Sequence, residues 1–195
     1  MPDPEWMSIM IGLVGGFLCA VFAEPLRQWL YRPIVALEFK PIKHFVTSTR
    51  EASSSGHHGA RYVRINVTNR RSALARSCRA YLVKIECRSR SGEWEATEYC
   101  ESMQLAWSAR GDGRHAALDL PKNVPHFVDV VSTRETSTSF KPETDGLLFR
   151  HMALFDSPGT YRFTVVVSGD GVNPVWIRLL FVWSSKWDDF QVMVA

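Results

Sequence analysis

An all-β domain behind one N-terminal transmembrane helix is the architecture this chain predicts, and three observations carry it. From residue 34 onward, apolar residues recur with period two in short runs separated by Gly, Ser, Asp, Asn and Pro. No amphipathic helical repeat follows Pro33, which argues against a parallel sheet with helical crossovers. Ahead of that region, residues 6–23 carry no charged side chain. The expected division is an anchor and juxtamembrane segment over 1–32 and a β-sandwich of about eight strands over 33–195, long enough for one domain with its own core.

The strands follow in order. "IVALEFKP" puts Val35, Leu37 and Phe39 on one side, and "RYVRINVTN" sets Val63, Ile65 and Val67 against Tyr62, Arg64 and Asn66. "AYLVKIECRS" aligns Tyr81, Val83, Ile85 and Cys87 opposite Lys84 and Glu86, which predicts a core position for Tyr81. Short strands are expected around Met103, Leu105 and Trp107, in "AALDL", in "PHFVDVVS" and in "GLLFRHMALF". "SPGT" turns the chain into "YRFTVVVSG"; "VWIRLLFVW", apolar on both sides except at Arg178, reads as a covered central strand, and "WDDFQVMV" as an edge. Residues 47–60 and 132–146, rich in Ser, Thr and Gly, read as mobile loops. Most of the tryptophans are expected in the core, although Trp183 and Trp187 flank "SSK" and offer an aromatic surface patch.

Two of these stretches resemble a known family. "SPGTYRFTVVVSG" is similar to the penultimate-strand region of immunoglobulin-like sandwiches, where a Gly and a nearby Tyr precede an alternating strand. "YVRINVTNRRSALARSCRAYLVKIE" resembles the strand pair of bacterial membrane-anchored immunoglobulin-like, CARDB-like modules. The resemblance implies an immunoglobulin-like antiparallel sandwich and covers about half of the β-region. The chain departs from the pattern in lacking a Cys…Trp…Cys framework: Cys78, Cys87 and Cys100 lie too close together. With Cys19 in the apolar run, an odd three remain, and free thiols in a reducing compartment follow.

Three readings compete for residues 6–23. A signal peptide needs positive charge before the apolar run, whereas "MPDPEWM" supplies Asp3 and Glu5, although Val21 and Ala23 resemble a cleavage pattern. A buried soluble helix would confine its apolar residues to one face, and here they run all round. A retained membrane helix is the expectation: eighteen residues at 1.5 Å rise span about 27 Å, at the short end for a bilayer. Gly12 and Gly16 form a Gly-x-x-x-Gly pair, a surface for helix packing and self-association. Arg27, Arg32, Lys40 and Lys43 follow the segment and no Lys or Arg precedes it, so the N-terminus is expected outside and the β-domain on the cytoplasmic side of the inner membrane. Arg27, Trp29 and Arg32 then form the juxtamembrane interface with lipid.

The search for chemistry excludes more than it finds. Neither Gly-x-Ser-x-Gly nor His-Glu-x-x-His occurs, and "ARGDGRH" and "SGDGVNP" are hairpin turns, not phosphate loops, because no helix follows them. His57 and His58 are adjacent on a Ser/Gly stretch without partners at metal-ligand spacing. No catalytic residue, cofactor or metal is expected, and the formal charge of +3, spread without blocks, argues against a nucleic-acid partner. The expected function is a membrane-anchored, non-enzymatic interaction module for an unidentified protein partner. One alternative is a ligand-gated membrane effector that senses a nucleotide-like signal through Arg64, Arg79 or Arg178; another is an extracytoplasmic envelope or adhesion domain.

Overall fold

The computed structural model describes residues 14–17, 20–23, 26, 31–53, 56–99, 101–146 and 151–195. Residues 14–17, 20–23, 26 and 31 are helical. Among the described residues, no helix is long and apolar enough to cross a membrane. Most of the expected span lies outside the described residues, and so do Gly12, Arg27 and Trp29.

From Val35 the chain is a two-sheet antiparallel β-sandwich. Its strands are β1 (Val35–Glu38), β2 (Val46–Ser53), β3 (Gly56–Asn69), β4 (Ala75–Arg88), β5 (Trp94–Ala96), β6 (Met103–Gln104), β7 (Ala106–Trp107), β8 (Leu118–Leu120), β9 (His126–Arg134), β10 (Phe140–Pro142), β11 (Gly159–Asp170), β12 (Val172–Lys186) and β13 (Asp189–Val194). In the smaller sheet β3 pairs β9; β1 and β2 divide the free edge of β3, and β7 and β10 divide that of β9. The larger sheet runs β13-β12-β11-β4, and β5, β6 and β8 share the outer edge of β4. Long central strands are thus flanked by short edge pieces, which leaves few continuous rows of unpaired backbone for another chain to template on.

Alternation builds the core from the facing sides of both sheets. Val63, Ile65 and Val67 of β3 meet Tyr161, Phe163, Val165 and Val167 of β11, with Leu179, Phe181 and Trp183 of β12 beside them. Phe140 sits at the centre of an aromatic cluster, with ring centroids 5.0–6.0 Å from Phe155, Tyr161, Phe163, Phe181 and Trp183. Such edge-to-face contacts add to the burial of the rings themselves. Every buried hydrophobic side chain described lies between Val35 and Val192.

Five expectations are corrected. Residues 47–53 and 56–60 form most of the paired β2–β3 ladder, with Val46 opposite Val63 and Ser53 opposite Gly56. Its hydrogen bonds come from backbone, which a polar composition does not disclose. The second expected loop holds the end of β9 and all of β10. "GLLFRHMALF" ends in a short helix, Met152–Asp156, instead of a strand; residues 147–150 lie outside the described set. Tyr81 is half-buried on the outer face, because a bulge opposite Thr164 and Val165 shifts β4 by one residue and delivers Leu82 and Ile85 to the core. β12 is not covered on both sides, since Trp176 on its outer face stands in solvent.

Candidate functional site

The surface that asks for an explanation is the outer face of the larger sheet. Cross-strand register builds it in rows. Tyr81, Val166 and Trp176 form one row; Lys84, Thr164 and Arg178 the next; Glu86, Arg162, Leu180 and Met193 a third. Trp176 is 73% exposed and Met193 43%. Beside Trp176 runs an open groove of about 830 Å³, lined by Val83, Lys84, Thr164, Val166, Trp176, Ile177, Arg178, Val194 and Ala195. A tryptophan carries one of the largest apolar surfaces of any side chain, so leaving it in water on a flat apolar sheet forgoes a burial that a partner would recover.

A charged lattice runs into this groove through Lys84. Glu86, only 6% exposed, accepts from Arg162 Nε at 2.7 Å and from Lys84 Nζ at 2.8 Å. The Arg162 guanidinium in turn lies 4.4 Å from the centroid of the Trp94 ring. The hydrogen bond from Arg162 is the main reason the Glu86 carboxyl is held down at about 2; Lys84 helps and burial opposes. The same pairing raises Arg162 above its ordinary value. Apolar side chains interspersed with hydrogen-bonded charged ones are compatible with a protein-docking surface, which as a whole is only about as apolar as other protein surface.

The outer face of the smaller sheet is built differently. Asp129, buried, accepts from Arg64 Nε at 2.7 Å and Ser108 Oγ at 2.6 Å. Glu143, also buried, accepts from Ser132 Oγ at 2.5 Å and Arg114 Nη1 at 3.2 Å. Glu51 takes Arg134 Nε at 2.8 Å and the Tyr62 hydroxyl. Burial pushes Asp129 up despite its donors, and raises Tyr62 together with the Glu51 hydrogen bond. These carboxylates tie β2, β3, β9 and the segment after β10 together, with donors from the protein itself.

The residues singled out in the sequence scatter over this frame. Arg64 is paired with Asp129 on the smaller sheet, whereas Arg79 and Arg178 belong to the larger one, so the three do not converge on one anion. Gly16 is helical, and a Cβ built on it would meet nothing within 4 Å. Arg32 clamps the β11–β12 turn, donating Nε to the Gly171 carbonyl at 3.0 Å and Nη1 to Asn173 Oδ1 at 2.7 Å. Among the described residues, no group of three or more His, Cys, Asp or Glu is placed to hold a metal ion. Cys78, buried, and Cys87, half-buried, are free thiols, and burial above all pushes Cys78 up to about 11.

Trp176, Glu86 and Arg162 escaped the sequence reading. Strict parity along β12 groups Trp176, Arg178, Leu180 and Val182 on one side; the arginine in that set is the signal that the side faces water. Compared with models of known protein families and with curated proteins, the chain finds no match.

Proposed function

We propose that this chain is a single-pass, membrane-anchored interaction module without catalytic activity, whose β-sandwich binds a protein partner through the outer face of its larger sheet. The observation that carries the reading is Trp176, 73% exposed on a groove that sets Val83, Val166 and Ile177 beside Lys84 and Arg178. The anchor is the uncharged stretch over residues 6–23, with Gly12 and Gly16 available for self-association. The basic residues that follow it favour a cytoplasmic β-domain at the inner membrane.

The finer fold reading is an immunoglobulin-like sandwich. β3 pairs β9 in one sheet, while β4, β11 and β12 stand side by side in the other, the neighbour relations of strands B–E and C–F–G. The Tyr161 hydroxyl, shared between the carbonyls of Leu154 at 2.9 Å and Ser157 at 2.8 Å, supports it, since a tyrosine at that strand start ties itself back to the preceding corner. Phe163 stands two residues on, where antibody domains place a cysteine.

The test is photocrosslinking in intact cells with a benzophenone amino acid in place of Trp176, and a control at Lys141, exposed on the other sheet. A discrete protein adduct at Trp176, absent at Lys141, is the expected result; lipid adducts alone, or none, would refute a protein-binding role for this face. A second reading rests on Lys84 and Arg178, which flank Thr164 in the groove and suit a small anionic ligand. A thermal shift with nucleotides that disappears in Arg178→Ala would favour it over the first.

A further inference from the structure

We propose that the end of the sandwich where the chain enters the β-domain rests directly on an anionic phospholipid surface. The inference builds on the membrane-anchor reading above and adds a lipid contact made by the folded domain itself. The end consists of the entry segment at Arg32–Ile34, the β3–β4 loop, the segment after β8 and the β11–β12 turn, brought together by sheet register: Val35 lies opposite Asn69, and Asp170 opposite Arg76. An isolated bridge joins Asn69 to Lys122.

Two features of this end match a headgroup layer. The first is charge. Arg32, Arg70, Arg76 and Lys122 are exposed there, with Arg71 half-buried beside them. Against them stand Asp170 and Asp119, the latter accepting from the Ser77 backbone N–H at 2.8 Å. The opposite end is mixed, with Glu93, Glu95, Glu98, Asp188 and Asp189 exposed beside Arg88, Arg90 and Lys186, and so carries no cationic excess. The modest net charge of +3 therefore hides an axial asymmetry that would turn the basic end toward an anionic leaflet. The second feature is apolar. Ile34, Leu74 and Val124 are 45%, 40% and 41% exposed among those cations, side chains suited to the headgroup boundary. Nucleic acid would also meet the charge. The aliphatic residues offer nothing for bases to stack on, however, and the apolar N-terminal stretch enters the domain at this same end.

The pinning of Arg32 makes the contact geometric as well as electrostatic. Its guanidinium holds the entry segment on the β11–β12 turn, so a helix anchored before it would deliver this end, and no other, to the bilayer.

The experiment uses the full chain in nanodiscs of phosphatidylcholine alone and of phosphatidylcholine with phosphatidylglycerol, read by amide hydrogen exchange. Residues 70–77 and 121–125 are expected to exchange more slowly in the anionic discs. The protection should fade in high salt and in Arg70→Glu/Arg76→Glu/Lys122→Glu, while the core keeps wild-type exchange. Each charge lost should weaken the contact about fivefold. Equal exchange in both lipids, with the chain retained by both, overturns the lipid-facing end and leaves the anchor standing. A chain that leaves neutral discs but stays on anionic ones until salt releases it removes the anchor and supports the contact. A chain that leaves both overturns both. Tighter binding to a duplex oligonucleotide than to anionic discs at the same salt would assign the end to nucleic acid instead.

Discussion

Glu86 provides a quantitative test of how the outer face of the larger sheet is held. Its carboxyl is lowered from 4.5 to about 2. At about 1.4 kcal/mol for each tenfold change in proton affinity, that drop corresponds to ~3 kcal/mol. Arg162 and Lys84 are 21% and 49% exposed, so solvent screens part of the attraction and about 2 kcal/mol is the expected contribution. The sign follows from the direction. A carboxylate favoured by the fold stabilises it above the ordinary value near 4.5, and the stabilisation is lost as pH falls from there toward about 2. Glu86→Gln should therefore lower stability by about 2 kcal/mol at pH 7, a shift of roughly 1 M in the urea midpoint, and by almost nothing near pH 2. Asp129 pulls the other way, because burial raises it and protonation relieves that cost, but its effect is common to both proteins and cancels in the difference. Urea unfolding of wild type and variant at pH 7, 4 and 2.5 measures the convergence. A gap that stays constant with pH, or no gap at pH 7, would refute the assignment of this network.

Three further outcomes follow from packing. Phe140→Ala, which removes the ring at the centre of the aromatic cluster, should cost about 3–5 kcal/mol in urea unfolding. Tyr161→Phe leaves the core volume unchanged but strips the carbonyls of Leu154 and Ser157 of their shared donor; a loss of about 1–3 kcal/mol is expected, read as a fall in Tm. Gly169→Ala would drive a Cβ to 2.6 Å from the Arg76 carbonyl and 2.7 Å from Cys78 Sγ, at the bulge where β11 crosses β4. Backbone cannot yield there as a side-chain tip can, so the variant should unfold at lower urea, and its Cys78 should react faster with a thiol reagent than in wild type.

Strands that alternate apolar and polar residues were legible because period two is a direct imprint of the pleat: β3, β11 and β13 lie where the alternation puts them. The β2–β3 hairpin was hidden for the converse reason. Its residues serve the ladder and a polar network, with Glu51 bonded to Tyr62 and Arg134, and neither role needs an apolar side chain. The faces of β4 were misread through the bulge, since one inserted residue reverses every assignment beyond it and leaves composition unchanged. The outer face of the larger sheet was the least legible. Its rows join β4 to β11, β12 and β13 across a long stretch of intervening chain, and only the register brings Lys84, Thr164 and Arg178 into line.

The two proposed surfaces constrain each other. β12 leaves the Arg32-pinned turn at Val172, and Trp176 follows within a few residues. At about 3.3 Å per residue, Trp176 stands about 15 Å from that turn along the strand. If the basic end lies on lipid, the groove then opens sideways, close above the headgroups, and the opposite end points away from the bilayer. A partner held in or on the same membrane would meet the groove at high effective concentration, so a shallow apolar face with one exposed tryptophan would suffice where a freely diffusing partner would need a larger interface. Moving the domain away from the membrane should therefore weaken the Trp176 adduct even though the groove is untouched. A flexible Gly-Ser insertion between Tyr31 and Arg32 makes that separation, and an adduct of undiminished yield would show that the partner comes from solution.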